Sequence, residues 1–221
     1  MRQITLLLFF LFSLAAWSQG YQSQGYNLLG AQGKYAIMNI QTDDFVMESS
    51  TGFQGGLTGR GAWYNNFDMI FGIDLMSAGV TSRGTSLLGV NEEIEYRMIG
   101  AQVNLQLAYN ILGQHLSIFA GPTFMLNGEL ELDNADQASH VLDGYTTLQA
   151  QDIQDISRFH LLATVGIAGG LEKIRLIAQY QYGVLNTFER LNKENVSLQD
   201  PEARDLKGNL GILSAGLVFY L

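Results

Sequence analysis

Apolar and polar residues alternate along most of the chain, and this alternation predicts β-strands rather than helices. Eight stretches carry the pattern: 33–42, 51–64, 67–80, 93–111, 115–128, 157–170, 173–187 and 207–221. Each is long enough for the ~9–11 residues that a tilted membrane-spanning strand requires. The sequence therefore predicts an all-β protein of eight strands.

The connections between these stretches alternate between short and long. Residues 65–66, 112–114 and 171–172 leave room for tight turns, whereas the long connections are 43–50, 81–92, 129–156 and 188–206. An antiparallel up-and-down transmembrane β-barrel has this order, with short turns on the inner side of the outer membrane and longer loops outside. We therefore expect the eight strands to close into such a barrel.

The two faces of the predicted strands differ in polarity. In the stretch 173–187, Leu176 and Ala178 share one face while Arg175 and Gln179 share the other. A charge that faces the bilayer midplane costs about 2–4 kcal/mol. We therefore expect the apolar face to contact lipid and the polar face to line the lumen.

The inward charges and amides are expected to form a hydrogen-bonded network that fills a narrow lumen. Its predicted members are Arg60, Asp74, Arg158, His160, Arg175 and Gln179. If Asp74 and Arg175 are partners, replacing either one with leucine lowers the thermal stability more than replacing both.

Aromatic residues collect near the ends of the predicted strands, as they do at the two interfaces of a membrane. The inner girdle is predicted to contain Trp63, Tyr64, Phe67, Tyr109, Phe219 and Tyr220. The outer girdle is predicted to contain Phe45, Phe53, Tyr96, Phe159 and Phe188. Both sets are expected to lie at the level of the lipid headgroups.

The first residues have the features of an export signal. Arg2 precedes the apolar run 6–14, and Ala16 and Ser18 are small residues at the positions that signal peptidase requires. The run is too short to span about 30 Å of hydrocarbon. We predict a signal peptide at 1–18, a low-complexity segment at 19–32 and a barrel domain at 33–221, with a short buried helix as the alternative for the first segment.

Composition narrows the classes of function. The 221 residues include no cysteine, which excludes disulfides, thiolate metal sites, a cysteine nucleophile and a lipid anchor on an N-terminal cysteine. A net charge of −9 argues against a nucleic-acid partner, because contact with phosphates needs a basic surface. The sequence indicates no cofactor.

The end of the chain carries regularly spaced apolar residues. Leu213, Leu217, Phe219 and Leu221 resemble the carboxy-terminal insertion signal that the barrel assembly machinery recognises, although the final residue is leucine instead of an aromatic. This resemblance implies an outer-membrane location, with lipid and lipopolysaccharide around the barrel.

Three internal segments also carry a resemblance to a family. They are Gln106-Leu-Ala-Tyr-Asn with Phe119-Ala-Gly-Pro-Thr-Phe124, Leu162-Ala-Thr-Val-Gly-Ile-Ala-Gly-Gly170, and Ile177-Ala-Gln-Tyr-Gln-Tyr-Gly-Val-Leu-Asn-Thr187. In this order they resemble the PorT-type outer-membrane β-barrel domain of Bacteroidota, over roughly 33–221. The resemblance implies an architecture and a location without catalytic residues. Some relatives assist type IX protein secretion, so a role of that kind, with envelope protein partners, is one implication.

Candidate chemistry is sparse. A barrel enzyme that modifies lipid A would need a His/Ser pair, and Ser157 is three residues from His160, a spacing that puts the two side chains on opposite faces of a strand. The loop 129–156 is acidic and contains no Lys or Arg. It could bind divalent cations through carboxylates, but we favour a solvated, self-repelling loop.

The sequence thus predicts a non-enzymatic outer-membrane barrel with a structural or interaction role in the cell envelope. Two other classes stay open: an outer-membrane lipid-modifying enzyme of the lipid A esterase type, and a soluble periplasmic ligand-binding barrel. The soluble barrel would need polar residues on its outside, contrary to the alternation.

Overall fold

The computed structural model describes residues 26–86, 88–193 and 196–221. The predicted signal peptide 1–18 and the first part of the segment 19–32 lie outside these residues. The strands are β1 (Asn27–Gln41), β2 (Met47–Tyr64), β3 (Phe67–Thr85), β4 (Asn91–Leu112), β5 (Leu116–Leu132), β6 (Val141–Leu142), β7 (Phe159–Gly170), β8 (Ile174–Gly183) and β9 (Asn209–Tyr220). Short helical segments lie at Ala135–Ser139, Ala150–Ile153, Glu189–Lys193 and Val196–Leu198.

Eight long strands close into an antiparallel barrel. Each pairs with the long strands that precede and follow it, and β1 also pairs with β9, with Gly33 opposite Leu217. The two-residue strand β6 pairs with the end of β3, and its Val141 also forms a bridge with Gln149. Closure gives every long strand a partner on both sides, so that backbone groups can be satisfied without water. The predicted eight-stranded up-and-down topology is confirmed.

Several strands extend further than the alternation indicates, whereas β7, β8 and β9 are shorter than predicted, with β8 ending at Gly183. β1 begins at Asn27, within the segment predicted as low-complexity and ahead of the predicted boundary at residue 33. β3 reaches Thr85 and β4 begins at Asn91, which reduces the predicted connection 81–92 to residues 86–90. The extensions of β3 and β4 are polar strand ends held by pairing between these two strands, and that of β1 is held by pairing with β2 and β9. Pairing leaves no mark in the hydrophobic pattern.

Short and long connections lie at opposite ends of the barrel. The turns 65–66, 113–115 and 171–173 share one end with Asn27 and Tyr220, and the connections 42–46, 86–90, 133–158 and 184–208 share the other. Asn65 and Gly113 adopt positive φ angles of 49° and 52° within the turns. A left-handed backbone suits glycine and asparagine best, and it makes these connections tight.

The outer surface of the barrel carries an apolar belt. In β4 every outward position from Ile99 to Ile111 is apolar, and the first outward charge beyond them is Arg97. Twelve residue steps along the strand cover roughly 40 Å, which a tilt of about 40° reduces to roughly 30 Å. This height matches the ~25 Å apolar band of membrane barrels.

Aromatic residues form the inner girdle but not the predicted outer one. Trp63, Tyr64, Tyr109 and Phe219 are exposed at the short-turn end, whereas Tyr220 points inward and is buried. Of the predicted outer set, Phe53 and Phe159 are exposed; Phe45, Tyr96 and Phe188 are buried inside the outer mouth. The prediction was wrong for these residues because closeness to a strand end does not determine which face a side chain occupies.

None of the helices in the described ranges is long and apolar enough to cross a membrane.

Candidate functional site

The interior of the barrel begins, at the short-turn end, with a buried ion pair. Arg60 Nε donates to Asp68 Oδ2 at 2.7 Å, and Arg60 Nη2 donates to Asn110 Oδ1 at 2.6 Å. The Tyr26 hydroxyl donates to the same Asp68 carboxylate. Alternation in β2, β3 and β4 directs Arg60, Asp68 and Asn110 inward. Arg60 is therefore buried inside the barrel.

Asp74 lies at the centre of a second cluster, one level further into the barrel. Its carboxylate accepts hydrogen bonds from Gln32 at 2.7 and 2.9 Å, from Lys34 at 2.9 Å and from Asn104 at 2.9 Å. Asp74 and Lys34 are both fully buried and form an ion pair. Asp74 therefore has the interior position we predicted, but its counter-charge is Lys34 and not Arg175.

Amide and hydroxyl side chains continue this network across the lumen. Thr123 Oγ1 donates to Asn104 Oδ1 at 2.8 Å and lies 2.8 Å from Thr164 Oγ1. Gln54 Nε2 donates to Gln181 Oε1 at 3.1 Å, and Gln181 Nε2 donates to Gln102 Oε1 at 3.2 Å. Because these groups fill the lumen, the network closes the barrel at this level.

Arg175 and Gln179 face the interior as predicted, but no hydrogen bond joins them to the network. Arg175 is 1% exposed, and its guanidinium carbon lies 5.9 Å from the centre of the Tyr220 ring. Within the described part of the chain, Nε, Nη1 and Nη2 of Arg175 and Nε2 of Gln179 have no hydrogen-bond partner. Both residues line a cavity of about 20 Å³ together with Arg60.

Arg158 is not in the interior, which corrects its predicted place in the network. β7 begins only at Phe159, so Arg158 precedes the strand at the outer rim, where it is partly exposed. It pairs there with Glu129 at 2.6 Å and with Asp155 at 2.7 Å, and these contacts, the Glu129 hydrogen bond above all, raise the pKa of Arg158. The alternation of apolar and polar residues indicates which face of a strand a side chain occupies, but it does not mark the residue at which the strand begins. The prediction therefore placed Arg158 within the strand.

His160 is inside the barrel but apart from the polar network. It is fully buried at the outer end of β7, and its Nε2 lies 3.0 Å from the carbonyl oxygen of Ser157. The Ser157 hydroxyl donates elsewhere, to the carbonyl oxygen of Asn186 at 3.1 Å. The two residues therefore do not form a nucleophile and base pair.

The outer half of the interior is apolar, a feature that the sequence analysis missed. Among the described residues, twenty-five buried side chains form one hydrophobic core there. The strands contribute residues such as Met38, Met76, Met98, Leu162 and Ile212. A signal was present in the inward positions of β4, which change from Ile94, Tyr96 and Met98 to Gln102, Asn104 and Gln106 along the strand. The prediction of a polar lumen is therefore wrong for its outer half.

The two longest connections cover this core. Leu148, Ile153 and Ile156 of 133–158 and Phe188 and Leu206 of 184–208 are buried in it. The prediction of a solvated loop at 129–156 is therefore wrong, because residues 129–132 belong to β5 and much of the remainder packs into the mouth of the barrel. We call residues 133–158 and 184–208 together the outer cap.

One buried carboxylate ties the two halves of the outer cap together. Asp200 accepts hydrogen bonds from the backbone amides of Thr146 and Thr147, each at 2.9 Å, and from the amide of Glu202 at 3.0 Å. These bonds, that from Glu202 foremost, hold the pKa of Asp200 well below its ordinary value of 3.8. Tyr145 adds a contact to residue Asp44, and burial raises the pKa of its hydroxyl to about 12.

In the described ranges, no group of three or more His, Asp or Glu side chains is arranged to hold a metal ion. Leu213, Leu217 and Phe219 face outward along β9, and Leu221, immediately after the strand, is exposed. The interior of the barrel thus has two parts. The part near the short turns is polar and hydrogen-bonded, and the part beneath the outer cap is apolar.

Comparisons with known proteins agree with this architecture. No family model and no curated protein matches the chain. The crystal structure of Neisserial surface protein A superposes with a TM-score of 0.50 over 87% of this chain and 97% of that one, at 13% identity. The attachment invasion locus protein Ail of Yersinia pestis, in complex with the heparin analogue sucrose octasulfate, gives 0.48 over 88% and 99%, at 12% identity.

Identities this low show a shared fold and nothing of activity. Together with the closed strand order and the apolar belt, the likeness to Neisserial surface protein A defines the chain as a small β-barrel of the outer-membrane type.

Proposed function

We propose that this chain is an outer-membrane barrel without catalytic activity that acts through its outer cap, in a structural or interaction role in the envelope. The sealed mouth carries the proposal. Apolar residues of the outer cap fill the outer half of the lumen, and the Asp74 network fills the level below it. A barrel filled in this way favours contact at its outer surface over transport through its centre.

The apolar belt supports a membrane location over a soluble ligand-binding barrel. A soluble barrel would have to expose the outward leucines and aromatics of every long strand to water. The separate positions of the His160 and Ser157 side chains likewise count against the lipid-modifying enzyme. Export through the predicted signal peptide and insertion by the barrel assembly machinery are parts of this proposal.

The surface of the outer cap carries an exposed apolar side chain among polar residues. Leu198 is 86% exposed at the surface of the cap, next to the acidic and basic residues of 188–206. An ordered surface with an isolated apolar side chain suits contact with an envelope protein or with lipopolysaccharide. The resemblance to PorT-type barrels supports assistance to type IX secretion as the finer proposal, for which deletion of the gene should abolish export of type IX cargo.

Single cysteines test the proposed location and orientation, because the chain contains no cysteine of its own. Leu198→Cys on the cap should react with a membrane-impermeant maleimide on intact cells. The matched control is Asn66→Cys, in an exposed turn at the opposite end, which should react only after the outer membrane is opened. Equal labelling of both on intact cells, or recovery of the protein in the soluble fraction, would contradict the proposal.

A further inference from the structure

The cavity at the short-turn end is lined by hydrogen-bond donors that have no acceptor. Five buried atoms of its lining residues have no partner among the described residues: Nε, Nη1 and Nη2 of Arg175, Nη1 of Arg60 and Nε2 of Gln179. All five are nitrogens that carry hydrogen and cannot accept. A buried donor without a partner destabilises the fold, so this arrangement calls for an acceptor inside the cavity.

The charges of the interior leave one cation without a counter-charge. In the described strands the buried charged residues of the lumen below the cap are Lys34, Arg60, Arg175, Asp68 and Asp74. Lys34 pairs with Asp74 and Arg60 pairs with Asp68. Arg175 forms no ion pair with any of the described residues, and its guanidinium carbon lies 5.9 Å from the centre of the Tyr220 ring. The net charge of this interior is therefore one positive charge, located at the cavity.

We propose that the cavity between Arg175, Arg60 and Gln179 binds a single monovalent inorganic anion, namely chloride. An anion accepts from all of these donors and neutralises the buried guanidinium, whereas a water molecule brings no charge and must orient two hydrogens towards groups that are themselves donors. The volume of about 20 Å³ suits one small species, since a single water-sized sphere needs roughly 10–15 Å³. The site is separate from the outer cap and does not depend on the proposed function.

Bromide is the probe for this site, because it replaces chloride and has an anomalous X-ray signal. The full chain is refolded in detergent in sodium bromide, sodium chloride or sodium gluconate at one ionic strength, so that the anion need not enter a closed barrel. We expect an anomalous peak within hydrogen-bond distance of the Arg175 guanidinium. We also expect a melting temperature that is higher in chloride than in gluconate and rises with the logarithm of chloride concentration.

Variants separate this site from general salt effects. Arg175→Met should abolish both the peak and the chloride dependence, while Arg158→Met, which removes a rim arginine, should retain both. If Arg175→Met does not fold, Gln179→Leu removes one donor and no charge. It should need about tenfold more chloride for the same stabilisation, which corresponds to about 1.4 kcal/mol.

Three results would overturn the proposal. The first is a cavity without an anomalous peak and with equal melting temperatures in chloride and gluconate, which would assign the space to water. The second is a peak at molar bromide without any chloride dependence, an adventitious ion only. The third is a chloride response that survives in Arg175→Met, or in Gln179→Leu at full strength.

Discussion

Asp74→Asn is the sharpest test of the interior network. The substitution keeps the size of the side chain and one acceptor oxygen, but it removes the charge that faces Lys34 Nζ at 2.9 Å. Lys34 then stays buried, 3% exposed, without a counter-charge. Breaking a buried ion pair by removing one partner costs about 3–5 kcal/mol. We expect a loss near the lower figure, because Gln32 and Asn104 can still donate to the remaining oxygen.

The matched control is an ion pair of the same kind in water. Glu48 and Arg83 lie 2.5 Å apart on the extended ends of β2 and β3, and both side chains are about half exposed. Exposed pairs contribute about 0–1 kcal/mol, so Glu48→Gln should change the free energy of unfolding by less than that. The difference between the two variants isolates the effect of burial.

A double-mutant cycle then measures the coupling between Asp74 and Lys34. Replacing both residues, as Lys34→Met with Asp74→Asn, removes the unpaired charge that each single variant leaves behind. We expect the double variant to lose at least about 1 kcal/mol less than the sum of the two single variants. The assay is urea unfolding of the refolded barrel in detergent, followed by tryptophan fluorescence and by heat-modifiable gel mobility. Additive losses, or an Asp74→Asn variant as stable as Glu48→Gln, would refute the pairing.

Three further predictions concern the outer cap, the pairing of β9 with β1, and the arginines of the rim and the interior. Asp200→Asn should loosen the outer cap and speed proteolysis of the cap on intact cells. The pKa of Asp200 is depressed in the fold. The stabilisation that Asp200 contributes should therefore be complete above the ordinary aspartate pKa of about 3.9 and be lost only as the pH falls below that value. Gly216→Ala places a Cβ 2.0 Å from a backbone carbonyl oxygen of β1 and should impair folding to the heat-modifiable form, whereas Gly33→Ala, with nothing within 4 Å, should not. Arg158→Met should cost less than about 1 kcal/mol and Arg60→Met about 3–5 kcal/mol, measured by urea unfolding; equal losses would contradict their assignment to rim and interior.

The alternation of residues predicted the faces of the strands well, because lipid and lumen impose opposite polarities on successive positions. Leu176 and Arg175 lie on the predicted sides of β8, and Asp74 of β3 faces the lumen. Partners were harder to predict, since pairing depends on register across strands. Lys34 and Asp74 are 40 residues apart, and only the paired register of β1, β2 and β3 brings them together.

The apolar upper interior could not be derived from alternation alone. Around Ile94 the alternation is reversed, because Glu95 and Arg97 face outward while Ile94 faces inward, so the rule of an apolar outside and a polar lumen does not hold at that end of the strand. The contribution of the outer cap was harder still to foresee. Leu148 and Phe188 lie in irregular segments, and only the closed barrel provides the surface against which they are buried.

The division of the lumen has a consequence for the contact that we propose for the outer cap. Loops that carry binding residues usually lose conformational freedom on contact, which costs about 0.5–1.5 kcal/mol for each side chain that becomes fixed. Here the cap is already fixed before any contact, from below by the hydrophobic core and from within by Asp200. The residues of the cap become ordered when the protein folds, because they pack against the apolar interior of the barrel, where a porin would contain water. A partner that docks on the cap meets a rigid surface, so changes to buried cap residues such as Ile153 should weaken binding even though they never touch the partner.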